Sequence, residues 1–403
     1  MRILLITSSY PTGPGDARGP FIQVLARALA EQGLEITVLA PGSPGAASRE
    51  VDGDIRIHRA RYWIPRWQGL TVGLGGIAPR LRRRPWLLVQ VPFLIASLTR
   101  AALRLSRAAD LVHAHWLYPA GIAGLAAARR AGIPLVVTSH GGDLNLARRS
   151  RLLRALCRAI ALRADSCVGV SHAMVEELEA LDLPPETVSF IPLGVDVSSE
   201  GAASRAHPLQ ERVRAGEAFK IVYVGSLIPR KSVHTLIDAH LELRARGHDV
   251  LTLLIGSGPE ESALRKRAPG DGTVLFAGHQ PPASIPDWIA LGDVLVLPSR
   301  SEGRGLVLVE AMALGVPVVA SEIPGPLEMI SPGVNGLTFP SGDPVELAAR
   351  LERLVLEPSF RARLGAQGKQ YVLREGLTPE ASARRHVELY RSLLAARAAR
   401  PSG

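Results

Sequence analysis

Two carboxylates stand in a segment that should reject them. Residues 299–315 read SRSEGRGLVLVEAMALG, with Glu302 and Glu310 eight positions apart. An ionised carboxylate withdrawn from water is costly unless it is paired or hydrogen-bonded. The stretch from Leu306 is otherwise wholly apolar and reads as a buried helix ending near Gly315, with Pro317 beyond it as a stop signal. Gly303 and Gly305 relax the backbone before it. The amides of Leu306 and Val307 open the helix, and a helix N-terminus is a natural site for phosphate oxygens. Glu310 lies about one turn inside that end, placed to accept both hydroxyls of a ribose. Glu302, in the preceding loop, is placed to accept hydroxyls of a sugar beyond the diphosphate. The bland alternative is one surface glutamate and one glutamate favoured by the helix dipole; the apolar setting argues against it.

Other residues with chemistry fall into the same pattern of strand, short loop and helix. YVGSLIPRKSVHTLIDA carries Arg230 and Lys231 after an apolar run. Adjacent guanidinium and ammonium groups suit a diphosphate, the first bidentate and the second a point charge; the competing reading is a solvated basic turn. In LLIGSGPEESALRKRA, Gly256 and Gly258 let backbone approach a ligand closely, although a plain strand-to-helix turn explains them as well. VVTSHGGDLN places His140 and Asp143 just after a strand, and VHAHWLYPAG places His113, His115 and Trp116 after its neighbour. Two histidines without a third ligand nearby make a poor metal site, so His115 and Trp116 read equally as acceptor-side or structural. Ser171 reads as an N-cap. The glycines of YPTGPGDARGP (Gly13, Gly15, Gly19) fail the dinucleotide-binding spacing, and Pro14 and Pro20 stiffen the loop. VDGD, residues 51–54, is a turn signal between short strands rather than a metal motif. No metal and no cofactor are expected.

These loops need strands to hold them. Apolar runs alternate with helical patterns twice over: RILLIT, LEITVLA, ADLVHAHW, IPLVVTSH and DSCVGVS, then FKIVYVG, VLTLLIG, TVLFAG, DVLVLPS and VPVVAS. Continuous runs rich in β-branched residues and separated by helices signal parallel strands buried on both faces. Two such series predict an α/β chain of two doubly wound, Rossmann-like domains facing across a cleft, with ligands at the carboxyl ends of the strands. The expected divisions are residues 1–195, a linker over 196–217 (polar and aperiodic through residue 210), a second domain over 218–375, and a C-terminal helical segment over 376–403 that crosses back to the first domain.

The chain has 403 residues, 47% hydrophobic and 21% charged, an ordinary composition for two globular domains. Its formal charge of +10 is an excess of arginine, with lysine only at Lys220, Lys231, Lys266 and Lys369. Without interleaved lysines and aromatics or any recognition motif, nucleic acid is not an expected partner. An anionic membrane surface stays open: residues 61–107 combine tryptophans, an arginine cluster and an apolar run read as too short to span a bilayer. A helix packed on the core with a solvated arginine end explains that run equally well. Cys157 and Cys167 read as small buried residues of a reducing compartment. No secretory signal is apparent, and the expected location is cytoplasmic or peripheral on the inner face of a membrane.

PSRSEGRGLVLVEAMALGVPVVAS resembles the glutamate–seven-residues–glutamate signature of family 4 glycosyltransferases, retaining enzymes of the GT-B fold. VGSLIPRKSVHTLIDA, LIGSGPEESALRKRA, FIPLGVDV and the N-terminal half resemble the same family in the same order, over residues 1–375. Arg304 stands where an aromatic or aliphatic residue is frequent. The resemblance implies transfer of a hexose from a UDP- or GDP-sugar to a glycan, a lipid-linked acceptor or a small molecule, in cell-surface polysaccharide or glycoconjugate biosynthesis. It implies that Gly19, Gly225, Gly256, Gly258, Gly305, Leu306, Val307 and Glu310 border the donor, with Arg18 and Pro20 in the same loop as Gly19. It further implies that Arg230, Lys231 and Glu302 act at the diphosphate and transferred sugar, and that His140 faces that sugar. His115, Trp116 and Asp143 fall on the acceptor side. Two rivals are a nucleotide-sugar epimerase of the same architecture and a non-catalytic nucleotide-sugar-binding protein.

Overall fold

A computed structural model describes residues 1–13, 16, 18–71, 77–197, 207–302 and 305–399. Gly15, Gly303 and Arg304 lie outside the described residues, as does the middle of the expected linker. The chain divides into two units, Met1–Gly194 with Pro379–Gly403, and Val195–Thr378.

In the first unit the apolar runs form an eight-stranded sheet. In chain order its strands are β1 (Arg2–Ile6), β2 (Glu35–Pro41), β3 (Arg49–Asp52), β4 (Ile55–Ala60), β5 (Leu111–His115), β6 (Leu135–Ser139), β7 (Ser166–Gly169) and β8 (Val188–Phe190). The spatial order is β3-β4-β2-β1-β5-β6-β7-β8. All neighbours are parallel except β3 and β4, the hairpin whose turn carries VDGD. There Asp52 accepts from Gln23 and Arg27. β5 and β6 are buried along their whole length, as strands covered by helices on both faces must be. From β1 the chain moves to β2 on one side and later to β5 on the other, so the loops after β1 and β5 leave the same sheet edge side by side.

The second unit repeats the plan with six parallel strands: β9 (Phe219–Val224), β10 (Val250–Ile255), β11 (Val274–Gly278), β12 (Val294–Leu297), β13 (Val318–Ser321) and β14 (Leu337–Phe339). Their order is β11-β10-β9-β12-β13-β14, and β9 stands at the switch point between β10 and β12. Local chemistry fixes the helix ends. Asp343 caps Pro344–Leu356 through the amides of Val345 and Glu346, and Ser171 caps His172–Glu179 through Met174.

Two segments depart from simple sequence reading. Part of the expected linker, Pro208–Ala215, is helical; His207 accepts the amide of Leu209, and Val213 is fully buried in the second unit's core. The run read as too short to span a bilayer becomes a continuous helical stretch, Pro85–Ala108, of 24 residues, with a mean hydropathy of 1.6 over its most apolar 18 residues. Short 3-10 turns at both ends of Gln90–Leu105 supply the extra length.

The helix Pro379–Ala398 belongs to the first unit. It packs Ala383, Val387 and Tyr390 into the core that also holds Ile22, Ile36 and Ile191. Ser382 donates to the carbonyl of Pro192 at 2.8 Å, and the Tyr390 hydroxyl lies 2.7 Å from Nδ1 of His113. Cys157 and Cys167 are free and buried, and burial pushes both thiols up to about 12.

The return helix is therefore a structural part of the first unit. Tyr390→Ala should destabilise that unit by about 3–5 kcal/mol through the lost volume, and Tyr390→Phe by about 1 kcal/mol through the lost hydrogen bond. Denaturant unfolding followed by tryptophan fluorescence reads both; an unchanged midpoint for Tyr390→Ala would separate the helix from the core.

Candidate active site

In the second unit the switch point brings together residues seventy-one positions apart. The loop after β9 makes a tight turn, Pro229–Lys231, and the loop after β12 runs beside it, the amide of Arg300 donating to the carbonyl of Arg230 at 2.8 Å. The Lys231 ammonium donates to Oε1 of Glu302. The same oxygen accepts from the hydroxyl of Ser299 at 2.7 Å. Arg230 spans both loops as well, donating to the carbonyl of Ser301 at 3.1 Å with Oε2 of Glu302 at 3.8 Å. Lys231 and Glu302 are 14% and 8% exposed, so their attraction acts where water screens it weakly, while Arg230 reaches solvent at 55%. The positive charges are thus gathered at one strand edge with a carboxylate holding them.

The helix Leu306–Ala313 follows directly. Its N-cap, Gly305, has φ 74°, a left-handed conformation that a β-carbon disfavours, and an added β-carbon would sit 2.9 Å from the side chain of Leu297. The first capped turn closes with the amide of Leu308 on the carbonyl of Gly305, which leaves the amides of Leu306 and Val307 outside the helical ladder. Leu308, Val309, Ala311 and Met312 are buried on the core. Glu310 is half-buried between them, and among the described residues its carboxylate has no hydrogen-bond or ion-pair partner. Burial, with nothing to offset it, pushes its carboxyl from 4.5 to about 7. Ionising Glu310 therefore costs the folded protein stability as pH rises from 4.5 to about 7.

Gly225, Gly256 and Gly258 have a packing role that sequence reasoning did not separate from ligand approach. A β-carbon on Gly256 would meet the carbonyl oxygen of Gly225 at 1.9 Å, and one on Gly258 that of Leu227 at 2.2 Å. The loops after β9 and β10 are zipped backbone to backbone, with Gly225 donating to Ile255 and Leu227 to Ser257. A β-carbon on Gly225 would crowd the buried hydroxyl of Tyr223 at 2.7 Å.

In the first unit the ends of β5 and β6 build a shelf of buried histidines. His113 is held on both sides, by Tyr390 and by Oγ1 of Thr138 at 2.7 Å. The His115 ring lies tilted against it, centroids 4.4 Å apart, and its Nδ1 shares a hydrogen bond of 3.0 Å with Nε2 of His140. The His140 ring lies against Trp116 and Phe21, centroids at 4.9 and 4.8 Å. Burial drives His140 down to about 3, and His113 and His115 are likewise held well below 6.5, so the whole shelf is neutral at physiological pH. Nδ1 of His140 and Nε2 of His115 are buried with no partner among the described residues, free to meet a polar ligand group.

Two expected site residues point inward instead. Asp143 is buried; its oxygens accept from the amides of Leu117 and Leu144 and from the hydroxyl of Ser139, binding the ends of β5 and β6 together. Arg18, next to the helix N-cap Gly19, is engaged by Asp16, Thr12, Ser43 and the carbonyl of Thr71. Trp116 adopts φ 71°, which carries the chain away from β5. The orphaned ring nitrogens and the cation–carboxylate cluster were not readable as contacts from sequence, since both depend on which strands are neighbours. Among the described residues no group of three or more metal-ligating side chains occurs.

Known proteins resemble this chain in sequence and fold. Residues 20–199 match Glycosyltransferase Family 4 and residues 209–371 match Glycosyl transferases group 1. D-inositol 3-phosphate glycosyltransferase of Frankia alni is 30% identical over 397 residues, covering 88% of this chain and 90% of that one. The GDP-mannose-dependent alpha-(1-6)-phosphatidylinositol monomannoside mannosyltransferase of Mycobacterium tuberculosis is 28% identical over 389 residues, covering 92% and 93%. In fold, the sucrose-phosphate synthase of Thermosynechococcus elongatus superposes with a TM-score of 0.78 at 22% identity, covering 98% of this chain and 99% of that one. The chain belongs to the family 4 glycosyltransferases, with the two parallel-sheet domains of the GT-B fold, and transfers a sugar from a nucleotide sugar.

Proposed function

We propose that the enzyme moves a hexose from a UDP- or GDP-sugar to a hydroxyl of a glycan, glycolipid or small-molecule acceptor, with retention of the anomeric configuration. The observation that carries this reading is the cluster of Arg230, Lys231 and Glu302 at the switch point, beside a helix that offers free amides and then Glu310. In this reading Arg230, Lys231 and the amides of Leu306 and Val307 bind the diphosphate and stabilise the charge that develops as it leaves. Glu310 accepts the ribose hydroxyls and Glu302 the hydroxyls of the transferred sugar. His140 offers an unpartnered Nδ1 to a sugar hydroxyl; a ring neutral at pH 7 is a hydrogen-bonding group, not a cationic acid. A leaving phosphate oxygen takes the acceptor proton on the face where attack occurs, so no carboxylate pair need bracket the bond as in a glycosidase. Biosynthesis of a cell-surface polysaccharide or glycoconjugate suits such a transferase.

A panel of nucleotide sugars scored for nucleoside diphosphate release tests the assignment. One donor should be consumed only when an acceptor is added, and Lys231→Ala should lower turnover on the order of 10²-fold. Release by the variant at the rate of the unaltered enzyme contradicts the role given to Lys231, and conversion of the sugar without an acceptor favours an epimerase.

Glu310 makes a separate, pH-dependent prediction. Ribose hydroxyls bind the ionised carboxylate better, so nucleotide binding lowers the Glu310 value below about 7 and releases protons. UDP or GDP affinity should rise with pH up to about 7, more steeply than nucleotide ionisation alone requires, and then level off. Glu310→Gln should erase that extra slope in calorimetric titrations; identical pH profiles for the two proteins would remove Glu310 from the ribose site.

A further inference from the structure

The connection from β4 to β5 carries a surface that sugar transfer does not require. No carboxylate occurs between Asp54 and Asp110, a stretch with eleven arginines. Ile64, Trp67, Trp86, Leu88, Val89 and Phe93 are each 50–62% exposed. Two contacts join the segments that carry them: Trp63 meets Phe93 edge-on with centroids 5.0 Å apart, and the side-chain amide of Gln90 donates to the carbonyl of Trp67 at 3.0 Å. Arg82, Arg83 and Arg84 are exposed immediately before the helical stretch Pro85–Ala108, and the Arg66 guanidinium lies over the Trp67 ring at 5.3 Å. Soluble monomers rarely expose large apolar side chains so closely grouped, and tryptophan with arginine is the composition of a membrane–water boundary.

The length and hydropathy of Pro85–Ala108 would also suit a membrane span, but its packing argues otherwise. Leu87, Gln90, Leu94, Leu98, Ala101 and Ala102 are fully or almost fully buried in the first unit, where the helix Gln90–Leu105 runs along Ala120–Ala131. Crossing a bilayer would extract all of them and break the Gln90 bonds. A helix with one face committed to the core and the other apolar face open beside a block of cations lies in the plane of an interface. We propose that this face docks on an anionic phospholipid bilayer, with Trp67, Trp86, Leu88 and Phe93 inserted at the headgroup–acyl boundary and Arg82, Arg83 and Arg84 on the lipid phosphates. Charge complementarity selects that occupant: a stretch without a carboxylate, with Arg66, Arg82, Arg83 and Arg84 next to its exposed apolar residues, meets an anionic surface far better than a second copy of itself.

Flotation of the full chain with phosphatidylcholine vesicles, with and without phosphatidylglycerol, tests this directly. The protein should float with the anionic vesicles at low salt, much less at high salt, and stay in solution with phosphatidylcholine alone. Replacing Arg82, Arg83 and Arg84 together by Gln should weaken partitioning roughly a hundredfold, and Trp67→Ser with Trp86→Ser and Phe93→Ser at least about tenfold, both with unchanged thermal unfolding. Brominated phosphatidylglycerol should quench the tryptophan emission of the unaltered protein, a readout that needs no variant to fold. Protein that stays in solution with both vesicle types, that floats equally with phosphatidylcholine, or whose emission is unquenched overturns the proposal. So does unchanged partitioning of the folded variants, or a dimer abolished by the same substitutions without vesicle binding.

Discussion

An ammonium and a carboxylate, both largely withdrawn from water, hold the two central loops of the second sheet together. Desolvating Lys231 and Glu302 costs several kcal/mol each, and their mutual attraction offsets this only where further hydrogen bonds complete them. The hydroxyl of Ser299 supplies such a bond to the carboxylate, and the Arg230 guanidinium adds a longer-range attraction at 3.8 Å. Among the described residues the lysine has no comparable second partner, and it has three N–H bonds to place. A group in that position is stabilised for folding yet available for exchange: a dianionic ligand offers the ammonium more than one carboxylate does. The Lys231–Glu302 pair therefore reads as a placeholder for the diphosphate, which fixes where cationic charge waits before the donor arrives.

The first unit solves a different problem. His113, His115 and His140 are so deeply buried that they stay neutral at physiological pH. What remains is geometry: Tyr390 and Thr138 clamp His113, His113 supports His115, and His115 fixes the ring of His140. The clamp begins on the C-terminal helix, so Tyr390 helps set the ring of His140 through His113 and His115. Asp143 locks the same strand ends from below.

Much of this was legible in the sequence because parallel buried strands write themselves as continuous apolar runs, and all ten of the runs read as strands are strands. β8 and β14 are three residues each, too short for a run to stand out from its loop. The helix Pro208–Ala215 hid in a polar segment because only Gln210 and Val213 are buried. The place of the return helix was accessible only by analogy: its buried face is Ser382, Ala383, His386, Val387 and Tyr390, a set with little hydrophobic signature. For the site, residue types and strand-end positions were readable, whereas partnership was not. That Glu302 pairs with Lys231 follows from β12 lying beside β9, a neighbour relation no local pattern encodes. Gly256 and Gly258 show the converse, since a glycine needed for loop packing looks in sequence like one needed for a ligand.

The central claim is that Glu302 holds a cation which the diphosphate takes over. Calorimetric titration of UDP and GDP into the unaltered protein, Lys231→Met and Glu302→Gln measures it most directly. The account predicts that Lys231→Met weakens binding at least about tenfold, while Glu302→Gln binds the nucleotide as tightly as the unaltered protein or more tightly, its competing carboxylate gone. Glu302→Gln weakening the nucleotide as much as Lys231→Met does would contradict it.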